Sequence, residues 1–138
     1  MSYSLAVSNG DLVRQGSNLA VVWGIDKLKQ DLQLWVAERF GGDRFHPDMG
    51  STLQDYIGTV ISRRTKAEIE DEVMRVLDNY QRVQVYGFKR EPRHYSMTQL
   101  LEAVKDITIN VTYDTVTVAV SVVSAARDNT KIFVSQGV

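Results

Sequence analysis

From Gly24 onward, apolar residues return every three or four positions. Ile25, Leu28, Leu32 and Trp35 share one side, with Lys27, Lys29, Gln30, Asp31 and Glu38 off it. That period predicts an amphipathic helix. Gly41-Gly42 predicts its end, because glycine takes the left-handed terminal geometry at little steric cost. Ahead of the helix, residues 3–7 and 19–23 read as short strands, and Asn9-Gly10-Asp11 is a turn signal.

Three hydroxyl residues then stand three positions before Glu or Gln, the spacing of a capping box. Ser51 with Gln54 predicts a short helix whose Leu53, Tyr56, Ile57, Val60 and Ile61 share a face. Thr65 with Glu68 predicts the longest helix, with Ile69, Val73, Val76, Leu77 and Tyr80 turned inward. Its early Glu68, Glu70, Asp71 and Glu72 suit the positive end of the helix dipole. Ser96 with Gln99 predicts a last short helix carrying Leu100, Leu101 and Val104.

Beyond residue 106 the period drops to two. Ile107, Ile109, Val111 and Tyr113 alternate with Thr108, Asn110 and Thr112; Val116, Val118, Val120 and Val122 alternate with Thr117, Ala119 and Ser121. This predicts a hairpin turning at Asp114-Thr115, with residues 132–134 as a further extended piece. The expectation is one α+β domain over residues 1–138: central amphipathic helices, a C-terminal antiparallel hairpin and short N-terminal strands. The hairpin poses a problem. Two strands alone are marginal in water, and the 116–122 strand has no Lys, Pro or Glu to guard an edge. Either the chain's own terminal segments cover that edge or a partner's strand does.

Composition narrows the function. Sixteen basic against seventeen acidic residues leave a net charge of -1, without the basic excess that phosphate binding brings. With no cysteine, disulfides, thiolate nucleophiles and Cys-ligated metals are excluded. No basic segment followed by an apolar run marks a secretory signal, and no stretch reads as a lipid-spanning helix. Only His46 and His94 could act as imidazole base or ligand, and neither has a second histidine at ligand spacing. There is no G-x-S-x-G, P-loop or G-x-G-x-x-G. The carboxylates lie mostly on helix surfaces, so a glycosidase pair is not readable. The expectation is a protein that is not an enzyme and holds no cofactor, metal or small-molecule substrate.

One stretch stands apart. Residues 87–95, Gly-Phe-Lys-Arg-Glu-Pro-Arg-His-Tyr, gather basic residues around Glu91. Pro92 fixes its own φ and biases Glu91 to extended geometry. Glu91 and Arg93 would then project to one side, Arg93 offering a planar fork for carboxylates or carbonyls. A solvated loop with a local ion pair is the plainer reading.

The ordered set of Gly24, Gln30-Asp31-Leu32, Arg44-Phe45-His46-Pro47-Asp48-Met49-Gly50-Ser51-Thr52-Leu53, an acidic-start helix, Glu91-Pro92-Arg93 and a valine-rich hairpin resembles a known family. It is similar to the sheath-initiator subunit of the baseplate wedge in contractile-tailed phages, which has a type VI secretion counterpart. The similarity spans residues 18–123. It departs at Gly41-Gly42-Asp43-Arg44, and it leaves residues 1–17 unaccounted for.

The resemblance implies a structural virion part, made in the bacterial host cytoplasm and lodged in the tail baseplate, six copies together. Glu91, Pro92 and Arg93 would dock on the helical bundle of the larger wedge subunits. The hairpin at 107–123, through the strand bearing Val116, Val118, Val120 and Val122 or through its neighbour, would accept sheath strands. A small protein-binding module with a self-completed sheet and a lysozyme-like glycosidase are the alternatives. No nucleic acid or membrane partner is implied.

Overall fold

The computed structural model describes residues 3–8, 11–42, 49–56, 63–112 and 114–137. The expected Asn9-Gly10 turn, the His46 segment, Ile57, Val60, Ile61 and Tyr113 lie outside them. The fold is α+β. Helices α1 (Gly24–Ala37) and α2 (Arg63–Arg90) pack on one face of an antiparallel sheet. That sheet is formed by β7 (Leu101–Val111), β8 (Thr115–Ser124) and β9 (Asn129–Gly137), in the order β7-β8-β9.

The 3.6-residue stripes bury most of what they predict, leaving Ile25 and Trp35 of α1 partly buried against the core. Leu28 and Leu32 of α1 and Ile69, Val73, Val76, Leu77 and Tyr80 of α2 are buried, with Val36 added to the α1 stripe. Gln84 extends the α2 stripe one turn past Tyr80 and is also buried. Beneath the helices, Val116, Val118, Val120 and Val122 of β8 and Ile132 and Val134 of β9 complete the core. Since α1 lies over β9 and α2 over β7, β8 sits under both, and these four of its valines are at most 1% exposed.

Several boundaries move. α1 stops at Ala37, before Gly41-Gly42, because Glu38 turns extended and Arg39 bridges to Ser51. Side chains from elsewhere satisfy the last carbonyls of the helix. Ser51 Oγ donates to Val36 O at 2.6 Å, and Gln54 Nε2 and Gln136 Nε2 donate to Ala37 O at 3.3 and 2.8 Å. Gly50 makes this crossing possible: its φ is 103°, and a Cβ there would meet Glu38 O at 2.7 Å. After Ser51 the chain makes a 3-10 turn, Leu53–Tyr56, in place of the expected α-helical start.

Thr65 is buried inside α2, which already runs from Arg63, so it is not the cap of that helix. The third expected helix is absent as well. Ser96 and Gln99 do interact, Gln99 N donating to Ser96 O at 3.1 Å and Ser96 Oγ to Gln99 Oε1 at 3.3 Å. These bonds close a turn, and Leu101 and Val104 continue into β7. The same local chemistry serves a turn or a helix start, and pairing with β8 decides between them.

The hairpin is present, with Val111 opposite Val116 and Ile107 opposite Val120. What differs is its surroundings. β9 runs along β8 from Thr115↔Gly137 to Val123↔Asn129, so the extended piece expected at 132–134 is a full third strand. The strand over 116–122 is therefore the inner strand, paired on both sides.

The N-terminal segment is a branched ribbon. β1 (Tyr3–Leu5) pairs with β6 (Val21–Trp23), β2 (Val7–Ser8) with β3 (Asp11–Leu12), and β4 (Arg14–Gln15) with β5 (Asn18–Leu19). Three residues seven apart join the pieces: Ala6 N donates to Ala20 O, Val13 N to Ala6 O and Ala20 N to Val13 O, at 2.8 to 3.0 Å. Gln30 of α1 holds the junction, accepting from Val7 N at 2.9 Å and donating to Leu5 O at 2.8 Å.

Candidate docking surfaces

Glu91, Pro92 and Arg93 stand together where α2 ends. The last helical bond runs from Glu91 N to Gly87 O at 2.9 Å. Proline lacks the N–H to continue and disfavours helical geometry in the residue before it, and Glu91 leaves the helix with φ -138° and ψ 72°. The next residues, Pro92–His94, form a 3-10 turn, so the expected extended segment with two side chains abreast is corrected. The turn instead brings Glu91 Oε2 within 3.2 Å of His94 Nε2, both side chains largely exposed.

Tyr95 braces the loop. Its ring meets Phe88 edge-on at 6.4 Å, and its hydroxyl lies only 2.0 Å from where a Cβ on Gly87 would stand. Glycine is needed there for contact, since any larger residue would push Tyr95 and the loop away. A cavity of about 310 Å³ opens beside the loop, lined by Lys27, Arg90, Glu91 and His94 among others. With Lys89, Arg90 and Arg93 around one acid, the tip is cationic.

Val116, Val118, Val120 and Val122 are elsewhere, in the core. Their backbone is fully paired and their side chains lie under the helices, so they offer no edge. The edge belongs to β7. Thr112 N donates to Thr115 O at 2.8 Å. By the alternation of antiparallel ladders, Thr108 and Asn110 then face β8 while the N–H and C=O groups of Ile107, Ile109 and Val111 point away from it. Among the described residues no strand lies outside β7.

The two edges of the sheet are guarded unequally. The first residues of β7 are bulged, carry Glu102, Lys105 and Asp106, and are capped where Gln81 Nε2 donates to Leu101 O and Glu102 O at 3.0 and 3.1 Å. On the far edge, β9 presents Lys131, and Gln33 Nε2 of α1 reaches Phe133 O at 3.4 Å. Residues 107–111 have regular pairing and no charge, the features that natural edges avoid.

A polar chain, buried along α2, ties α1 and α2 to the start of β7. Lys27 Nζ pairs with Asp31 Oδ2 at 2.5 Å, Tyr80 OH donates to the same oxygen at 3.1 Å, and Gln84 Nε2 donates to Tyr80 OH at 3.0 Å. Gln84 also bonds Gln99 O at 2.7 Å and accepts from Leu101 N at 2.8 Å. Burial, with the Asp31 carboxylate next, pushes the Tyr80 hydroxyl far above its ordinary pKa, so it remains a donor. Sequence reading missed Gln84; its signal is its place four residues after Tyr80 on the inward stripe.

Burial raises the Glu72 carboxyl, but hydrogen bonds from Arg75 and Thr52 outweigh it and hold the group below its ordinary value. A general acid needs the opposite shift. Among the described residues no three His, Cys, Asp or Glu gather to hold a metal, and no helix is long and apolar enough to cross a membrane.

No known family profile matches the chain, and no curated protein matches it by sequence. Among solved structures, the chain is similar to a Geobacter sulfurreducens protein named a "putative tail lysozyme", whose crystal structure is at 1.44 Å resolution. The TM-score is 0.58 and the identity 15%, over 82% of this chain and 89% of that one. What the two share is the fold.

Proposed function

We propose that the chain is a structural subunit of a contractile tail that docks in the baseplate through Glu91, Pro92 and Arg93 and starts the sheath by strand addition on β7. The observation that carries this reading is the regular, charge-free edge at residues 107–111. A sheath strand laid there would bond the outward groups of Ile107, Ile109 and Val111, each bond adding ~0.5–1.5 kcal/mol net. Six copies would act together. The ordered motif set supports the reading, as does a fold shared with a protein whose name carries "tail". The cationic Glu91–Arg93 tip would engage polar or acidic groups on the helical bundle of the larger wedge subunits.

The test separates the two ends of the molecule. Ile109→Pro removes an outward N–H and spares the ladder to β8, so it keeps the native circular dichroism. It should enter the baseplate and yield tails without sheath. Arg93→Ala should fold and fail to enter. Normal sheaths on Ile109→Pro particles would end the strand-addition reading, and normal incorporation of Arg93→Ala would end the docking one. The neighbour's name also raises a hydrolase. Release of muropeptides from purified peptidoglycan by the isolated chain would favour that second reading.

A further inference from the structure

The stem of the N-terminal ribbon wears its pattern reversed. Cross-strand neighbours Tyr3↔Trp23 and Leu5↔Val21 fall on one face of β1 and β6, and Ser4↔Val22 on the other. The Ser4–Val22 face is half-buried. The other face is open, with Tyr3 67%, Trp23 56%, Leu5 43% and Val21 37% exposed. A ribbon folding for its own sake would turn these rings inward.

Its location gives the face a context. A Cβ on Gly24 would lie 3.1 Å from Thr98 Oγ1, so the foot of the stem abuts the turn that follows the Glu91–Arg93 loop. Met97, in the same turn, is 51% exposed. Lys27, one helical turn on, lines the cavity beside Glu91 and His94. A cationic tip and an uncharged aromatic face thus adjoin at one end of the molecule.

Size and charge choose the occupant. Aromatic side chains present ~150–250 Å² each, so the exposed fractions give a patch of roughly 300–500 Å², in the range that marks functional surfaces. A second copy seated on this patch alone would fall short of the ~800 Å² per partner of a stable dimer. β1 and β6 carry no charged residue, so the complement is an uncharged apolar groove. We propose that the Tyr3, Leu5, Val21 and Trp23 face docks into such a groove on the same helical wedge subunit that Glu91, Pro92 and Arg93 engage. This rests on the baseplate reading. The loop would supply polar specificity, and the rings the central buried anchors.

The test uses the full chain with Trp35→Phe, which leaves Trp23 as the one tryptophan of the two, titrated with purified wedge subunits of the same particle. Trp23 emission should shift to the blue on binding. Trp23→Ala and Tyr3→Ala, read by calorimetry, should each weaken binding on the order of tenfold or more with unchanged melting temperature. Arg93→Ala should weaken it too. Loss with Arg93→Ala but not with Trp23→Ala, together with unmoved emission, would overturn the ribbon proposal and leave loop docking intact. No binding by the unaltered chain would overturn both. A free chain that sediments as a dimer, and as a monomer once Trp23→Ala is made, would assign the face to a second copy instead.

Discussion

The C-terminal sheet and the N-terminal ribbon are both antiparallel and both rich in Val, yet they bury opposite faces. In β8, Val116, Val118, Val120 and Val122 point to the helices and are essentially sealed, while Thr117, Ala119 and Ser121 lie on the open side. In β1 and β6 the rings point to solvent and Ser4 lies toward the body. The difference is the helical layer. α1 and α2 give the sheet an apolar surface to cover, whereas the ribbon meets the body mainly through the amide of Gln30 and its own three-way junction. Burial stabilises the sheet, and backbone hydrogen bonds hold the ribbon in shape. The outward rings of the ribbon gain only when something else covers them.

The contrast is broken most forcefully at the centre of β8. Val120 is 0% exposed, within the hydrophobic core and paired across the sheet with Ile107 and Ile132. Val120→Asp should cost roughly 3–5 kcal/mol or unfold the chain outright. Urea titration followed by far-UV circular dichroism would measure it. A loss under about 1 kcal/mol would mean that β8 is not the inner strand.

How far this contrast was legible in sequence depended on what sets each element. The stripes of α1, α2 and β8 could be read because burial imposes a period, and most of those side chains form the core, with Ile25 and Trp35 of α1 only partly buried against it. Element ends could not. Ser51, Gln54 and Gln136 cap α1 from distant positions, and no local signal at Gly41-Gly42 reports that. Ser96-Gln99 shows the same limit, since its bonds are compatible with a turn or a helix and the decision lies in β8. β9 was only partly visible because Ile132, Phe133 and Val134 run together and hide their alternation. Glu91, Pro92 and Arg93 were legible as an exposed break after the long helix, but not as the 3-10 turn they form. The open edge was not, because only the β9 pairing moves it from β8 to β7.

A smaller effect comes from the seam beneath the helical layer. Glu72 accepts from Thr52 N at 2.8 Å and from Arg75 Nη2 and Nε at 2.6 and 2.8 Å, and Arg75 also donates to Gly50 O at 3.1 Å. Its folded pKa is lowered from the ordinary 4.5. The stabilisation is therefore complete above that value and lost as pH falls through the lower folded one. Glu72→Gln should cost roughly 1.5–3 kcal/mol at pH 7. It should also flatten the fall in urea midpoint between pH 5 and strongly acid solution, roughly the range over which a lowered carboxylate titrates. Equal acid sensitivity in both proteins would show that Glu72 does not carry the effect.

The gentlest perturbation falls on the ribbon and tests whether it opens independently of the core. Gln30→Leu removes both bonds to the Leu5 and Val7 backbone and leaves the buried α1 residues Leu28 and Leu32 in place. The global urea midpoint should shift by less than that expected of one ordinary hydrogen bond, about 1 kcal/mol. Amide exchange should reveal what the midpoint hides. Protection at Ala6, Val13 and Ala20 should fall by about tenfold, while protection in β8 and β9 stays unchanged, because the two regions open as separate units. If exchange in β8 accelerated in step with the ribbon, the two would form one cooperative body. The reversed face of the ribbon would then need explaining as part of the fold, not as a surface awaiting cover.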